Sequence, residues 1–268
     1  MPNPIALAIF DIDGVVRDVS GSYRRAIADT VETFTQGHYR PTPADIDQLK
    51  SEGIWNNDWK ASQELILRHS QASGCSYPSD YDAIVAYFQE RYRGKGDDPS
   101  QWTGYITQEP VLMSAQYLAN LAKGGVPSAF FSGATRGSAN YILQQRMGLH
   151  EPILIAMADA PSKPDPTGLY MTIDQLEVAI PPGLPVLYAG DTVADMATIT
   201  AAKAEFPQRT WLGVGVLPPH VQTDNDYKNR YCETLKTAGA VLVVSHIEQL
   251  TPEKIQVLIN ADVGGNVG

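Results

Sequence analysis

The chain has 268 residues, 43% of them hydrophobic, and carries 30 acidic against 20 basic side chains for a formal net charge of -10. With no run of lysine or arginine, that charge argues against nucleic acid and anionic membrane surfaces as partners, while a small anionic substrate stays compatible because one metal ion and one lysine invert a local field. Only Cys75 and Cys232 are present, no C-x-x-C occurs, and no apolar run suits a signal-peptide core or a membrane span, so a soluble cytoplasmic protein is expected.

The chain opens with a short apolar run, Ile5 to Phe10, that ends at Asp11 and reads as a buried strand. Tyr23 to Thr35 places Ile27, Val31 and Phe34 on one helical face. From Pro43 to Arg93 the texture is helical throughout, with helices predicted over 45–50, 59–69 and 81–92 and no strand between them. Alternation then begins. A helix over 112–122 stops at Gly124-Gly125, a strand follows over 126–131, and Ala139, Ile142, Leu143 and Met147 sit at helical spacing before Gly148. Strands are predicted over 153–157, 185–189, 211–216 and 241–244, with helices over 167–176, 194–204 and 227–237 between them. Apolar, non-alternating strands separated by helices predict an α/β fold: a doubly wound, Rossmann-like parallel sheet covered on both faces. The all-helical stretch interrupts that pattern, so a core of residues 1–18 and 108–268 is expected to carry an inserted helical cap over 19–107.

In an open parallel sheet ligands bind beyond the carboxyl ends of the strands, which directs attention to the residue after each apolar run. These are Asp11-Ile12-Asp13-Gly14, then Ser132-Gly133, then Ser162-Lys163-Pro164, then Gly190-Asp191 with Asp195 four further on. Four carboxylates, a hydroxyl and a lysine are thereby predicted to converge on one edge of one sheet. Phosphoryl transfer draws on this inventory: a carboxylate nucleophile, a magnesium ion between two approaching anions, and fixed donors for the transferring group. Taken singly, each residue has a plainer reading. Asp-x-Asp-Gly is a turn, Ser132 a helix cap with Thr135 as its rival, Lys163 a solvated lysine, Asp191 another cap. Their joint occurrence in this order is what is specific.

On these four segments the sequence resembles the haloacid dehalogenase-like superfamily, over roughly residues 5–245 and with a helical cap of the phosphoglycolate phosphatase-like type. The resemblance implies a small phosphorylated metabolite as substrate and Mg2+ as cofactor. It implies Asp11 as nucleophile and metal ligand, and Asp13 as general acid and base with its backbone carbonyl on the metal. Ser132 and Gly133 are implied at the phosphoryl group, Lys163 on the phosphate and Asp11, Asp191 on the metal, and Asp195 behind the metal or Lys163. The second aspartate, Asp13, separates this pattern from the true dehalogenases but not a phosphatase from a phosphomutase. An idle scaffold of the same fold is a further alternative, disfavoured by the intact set of charges. A phosphonatase would need a Schiff-base lysine among Lys50, Lys60 and Lys95.

Three further positions are candidates for substrate contact. Arg17 follows the first motif, and Asn56 and Asn57 lie between the indoles of Trp55 and Trp59. For Asn57 the rival reading is the cap of the helix that follows.

Overall fold

The computed structural model describes residues 3–55 and 57–265. It divides into two compact units, Met1–Asp18 with Val111–Gly268, and Val19–Pro110.

The first unit is built on β1 (Leu7–Phe10), which the chain leaves for the second unit. That unit holds α1 (Tyr23–Phe34), α2 (Pro43–Lys50), α3 (Asp58–Ser73) and α4 (Tyr81–Tyr92). Local signals set their ends. Thr42 and Asp45 form a capping box around Pro43 at the start of α2, and Gly74 closes α3 in the left-handed region at φ 68°. The helices pack around Ile27, Val31, Leu49, Ile66, Ile84 and Phe88. The Ser22 hydroxyl donates to Glu109, tying the two ends of this unit together, and Arg24 pairs with Asp47 at 2.5 Å in its interior.

After the return, the first unit continues through α5 (Ala115–Lys123), β2 (Ser128–Phe131), α6 (Arg136–Asn140), β3 (Leu154–Ile155), α7 (Thr167–Glu177) and β4 (Val186–Gly190). It ends with α8 (Val193–Glu205), β5 (Trp211–Val216), α9 (Asn225–Thr237), β6 (Leu242–Val244) and α10 (Pro252–Gly265). All six strands are parallel, in the order β3-β2-β1-β4-β5-β6. Alternate strand residues point to opposite faces, and both faces are covered. Ala8, Phe10, Phe130 and Leu187 pack with Leu121, Ile142 and Ile255 on one side. Leu7, Ile9, Phe131 and Tyr188 pack with Leu169, Ile173 and Ile199 on the other. This explains why β1 is apolar at every position: all four of its residues are fully buried.

The strands expected over 126–131 and 153–157 are shorter, at Ser128–Phe131 and Leu154–Ile155, and three helices also depart from the sequence reading. The helix predicted from residue 112 begins at Ala115, because Ser114 accepts from the Tyr117 amide and caps it there. The helix predicted around 139–147 starts at Arg136, capped by Thr135, and its second half widens into a π-helical stretch at Tyr141–Arg146. α10 was not predicted, although Thr251, whose hydroxyl accepts from the Lys254 amide, and the apolar spacing of Ile255, Leu258 and Ile259 carry its signal.

Phe10 is fully buried, with the rings of Tyr117 and Phe130 at 6.3 and 6.2 Å. Phe10→Ala should cost about 3–5 kcal/mol, read from the urea unfolding midpoint. A loss below about 1 kcal/mol would contradict the packing described.

Candidate active site

The strand order runs outward in both directions from the neighbours β1 and β4, and a crevice forms beyond the carboxyl ends of two such strands. Register brings the motif residues to this edge. Phe10 is aligned with Phe130 on one side and Ala189 on the other, so Asp11, Ser132 and Asp191 leave three adjacent strands close to the same level. The Asp11 amide donates to the Ala189 carbonyl at 2.9 Å, which carries the ladder to the edge of the site.

Lys163, from the loop between β3 and α7, is buried at the centre. Its ammonium lies 2.9 Å from Asp11 Oδ1 and donates to Asp195 Oδ1 at 2.7 Å. The neighbouring rings of Phe131 and Tyr188, 6.1 Å apart, lie beside it, with centroids at 5.0 and 5.4 Å from the ammonium. Burial alone would lower the lysine's pKa, but Asp11 and Asp195 outweigh it and hold it above the ordinary value.

Asp195 is saturated with donors. Its Oδ1 also accepts from the Tyr188 hydroxyl at 2.7 Å, and its Oδ2 accepts from the Thr192 amide at 3.0 Å and the Thr192 hydroxyl at 2.6 Å. The last two contacts belong to the capping box that starts α8, so a helix start doubles as a lysine anchor. Burial opposes ionisation of Asp195, yet Lys163 and these donors keep its carboxyl below the ordinary range. Burial pushes the Tyr188 phenol well above its ordinary value, with Asp195 and Asp11 adding to the rise. Tyr188 was not picked out from the sequence, since in a buried strand an aromatic residue reads as core.

Asp11 behaves differently. Burial raises its carboxyl from 3.8 to about 7; Lys163 opposes the rise, and Asp195 and Asp13 add to it. Although Lys163 is close, Asp11 Oδ1 is buried and has no partner in good hydrogen-bond geometry among the described residues. Asp11, Asp191 and Asp195 offer carboxylate oxygens within 4.8 Å of one another. Gly14 makes that approach feasible: at φ +76° a Cβ would lie 2.1 Å from Asp191 Oδ2. Buried oxygen donors, one of them unsatisfied, suit a hard divalent cation.

The remaining predicted residues divide. Ser132 is buried at the end of β2, and its hydroxyl accepts from the Ala134 amide at 3.1 Å, while the cap of α6 is Thr135. Gly133 is half-buried beside it. Asp13 is partly exposed, and Arg17 reaches back to it, with Nε 2.7 Å and Nη2 2.6 Å from Asp13 Oδ1. Arg17 was read as a substrate contact, but its side chain is fully buried, so its guanidinium is turned into the protein. Asn57 carries the N-cap of α3, its side-chain oxygen accepting from the Trp59 and Lys60 amides at 3.0 Å each. That contact is the capping role given above as the rival reading of Asn57, and Asn56 lies outside the described residues. Trp59 is only half-buried, and the Trp55 indole donates to Glu52 at 2.7 Å.

The profile of the haloacid dehalogenase-like hydrolases matches residues 5–203. The chain belongs to this family. An imidazoleglycerol-phosphate dehydratase of Phytophthora nicotianae is 30% identical over 222 residues, covering 82% of this chain and 45% of the relative, so the chain spans under half of that protein's length. Among solved structures, a phosphonoacetaldehyde hydrolase-like protein from Oleispira antarctica superposes with a TM-score of 0.65 at 15% identity, covering 95% of this chain and 93% of the other. A β-phosphoglucomutase from Clostridium difficile superposes with a TM-score of 0.62 at 17% identity, covering 97% and 99%. At these identities the two structures speak for the fold. No helix among the described residues is long and apolar enough to cross a membrane.

The Asp11 carboxyl has a consequence for stability. An unfolded chain releases this proton near 3.8 and the folded chain near 7, so between those values the folded state holds the extra proton and stability falls as pH rises. With divalent cations chelated, Asp11→Asn should therefore be the more stable protein at pH 8, by on the order of 2–4 kcal/mol, and lose that advantage toward pH 4. Parallel urea titrations across this range measure it, and a difference independent of pH would contradict the assignment.

Proposed function

We propose that this chain is a magnesium-dependent phosphatase that hydrolyses a small phosphomonoester through an aspartyl-phosphate on Asp11. The observation that carries the reading is Asp11 itself: a buried carboxylate at the β1–β4 crevice, 2.9 Å from a buried lysine, with a second carboxylate two residues on. A charged group is costly to bury without a partner, and this one is placed where a nucleophile and its counter-cation are needed.

Asp11 attacks phosphorus in line, and the phosphorus–oxygen bond to the leaving group breaks. Asp13, protonated, gives its proton to the departing oxygen and so becomes a carboxylate. It then takes a proton from water as the water oxygen attacks phosphorus and the bond to Asp11 breaks. Lys163 holds the phosphoryl oxygens and Asp11, while Asp195 retains the lysine from behind, its oxygens also accepting from Tyr188 and Thr192. Ser132 and the Gly133 backbone complete the phosphoryl cradle. Asp11, Asp191 and the Asp13 carbonyl would hold the magnesium ion, with Asp195 in support. Bound there, the ion supplies the positive charge that lets two anions meet.

The helical unit Val19–Pro110 is assigned the part of a cap that selects the leaving group, on the strength of family membership and its insertion between Asp18 and Val111. A phosphonatase is disfavoured at Lys50, which is held in an ion pair with Asp58 at 2.8 Å. The oomycete relative is named for an enzyme acting on an imidazole-bearing phosphomonoester, which makes such esters the first substrates to try. A cytoplasmic setting belongs to the same proposal.

A panel of phosphomonoesters assayed for free phosphate tests the assignment. Release should require magnesium, stop with chelator and fall at least about a thousandfold in Asp11→Asn. Isomerised sugar phosphate in place of free phosphate would point to a mutase, and substantial activity in Asp11→Asn would remove the nucleophile. Asp13→Asn should lower kcat/KM by about a hundredfold or more for alkyl phosphates and far less for p-nitrophenyl phosphate, whose leaving group departs without a proton. Equal losses on both would exclude the acid role.

A further inference from the structure

We propose that Arg17 is a positioning residue for Asp13, fixing which carboxylate oxygen faces the proton transfers. The proposal rests on the reading of Asp13 as general acid and base. Arg17 is among the largest fully buried side chains of the protein, at 0% exposure. A buried guanidinium is tolerated only when it is paired, and an apolar residue would fill the same volume without that demand. Its partners define what it does. Nε and Nη2 both lie on Asp13 Oδ1, at 2.7 and 2.6 Å. Nη2 also donates to the Ser138 hydroxyl at 3.0 Å, and Nη1 to the Ser138 carbonyl at 3.4 Å.

The guanidinium is fixed at both ends. At its root, Gly14 and Arg17 close a tight turn, with the Gly14 amide donating to the Arg17 carbonyl at 2.9 Å and the Arg17 amide to Ile12 at 3.2 Å. At its tip, Ser138 in α6 holds the planar fork. Asp13 Oδ1 thereby accepts from Nε and lies at ion-pair distance from Nη2 of the same rigid group, whereas Oδ2 makes no hydrogen bond among the described residues. Oδ2 is the oxygen left to carry the proton. Lysine would supply the charge but not the fork, since an ammonium is a point donor on a flexible stem. At this site two buried cations divide the work: Lys163 pairs with Asp11 and Asp195, and Arg17 with Asp13.

The test uses kcat/KM, which reports the steps up to leaving-group departure, on an alkyl phosphate and on p-nitrophenyl phosphate. Arg17→Lys, checked for folding by circular dichroism, should lose about tenfold or more on the alkyl phosphate and stay within about threefold on p-nitrophenyl phosphate. In an Asp13→Asn background the same substitution should change the alkyl phosphate value by less than about threefold, because the group it orients is gone. If Arg17→Lys does not fold, Ser138→Ala, which frees one anchor of the fork, is read on the same two substrates and should show the same preference. Equal losses on both substrates, or losses that multiply in the double variant, overturn the proposal. If Asp13→Asn shows the leaving-group preference and Arg17→Lys lacks it, Arg17 alone is wrongly assigned. If Asp13→Asn lacks it too, the acid role falls and this proposal falls with it.

Discussion

An ammonium buried among strand ends has to be neutralised by groups that cannot relax away from it, and the architecture around Lys163 follows from that constraint. One counter-charge comes from Asp11 at the tip of β1 and the other from Asp195 in the first turn of α8. The second requires α8 to start close to β4, and Gly190 permits this: a Cβ there would lie 2.3 Å from the Asp195 side chain. Phe131 and Tyr188, the two rings beside it, come from the two strands that flank β1. Pairing at this quality is what keeps a buried charge from becoming a liability, and Asp195, held ionised by its donors, is the partner whose removal would leave Lys163 undercompensated.

The same constraint sets Asp11 apart from its neighbours. Asp195 has four donors and stays ionised, whereas Asp11 shares the lysine and carries an oxygen without a hydrogen-bond partner. Its carboxyl is left near the midpoint of ionisation at neutral pH, so any cation held by Asp11 and Asp191 makes the carboxylate available for bonding. Asp13, two residues away, is managed by a different cation, Arg17. Two carboxylates separated by one residue thus have different cationic partners, which is the asymmetry that the proposed division into nucleophile and acid calls for.

The fold was readable because its signals are local. Six apolar segments gave six strands, and their lack of alternation follows from helices covering both faces of the sheet. Thr42 with Asp45, Asn57 and Thr192 with Asp195 mark helix starts within three residues of the groups they satisfy. α10 carried comparable signals in Thr251 and Ile255 but stands outside the strand-helix alternation that guided the reading. Arg17 and Asn57 show the opposite case. Each is a polar residue beside a motif, and only packing tells whether its side chain turns outward to a ligand or inward to the chain.

By itself the sequence determined the order of the elements, the parallel α/β class and the four segments that follow strands, because each is written in consecutive residues, as a short apolar run for a strand or a 3.6-residue period for a helix. The tertiary structure decided who meets whom. Lys163 finds Asp195 32 positions away, and Arg17 finds Ser138 121 positions away. Periodicity reports the face on which a side chain stands and not the group opposite it. That choice is made by strand register and by the need to pair every charge that the fold removes from water.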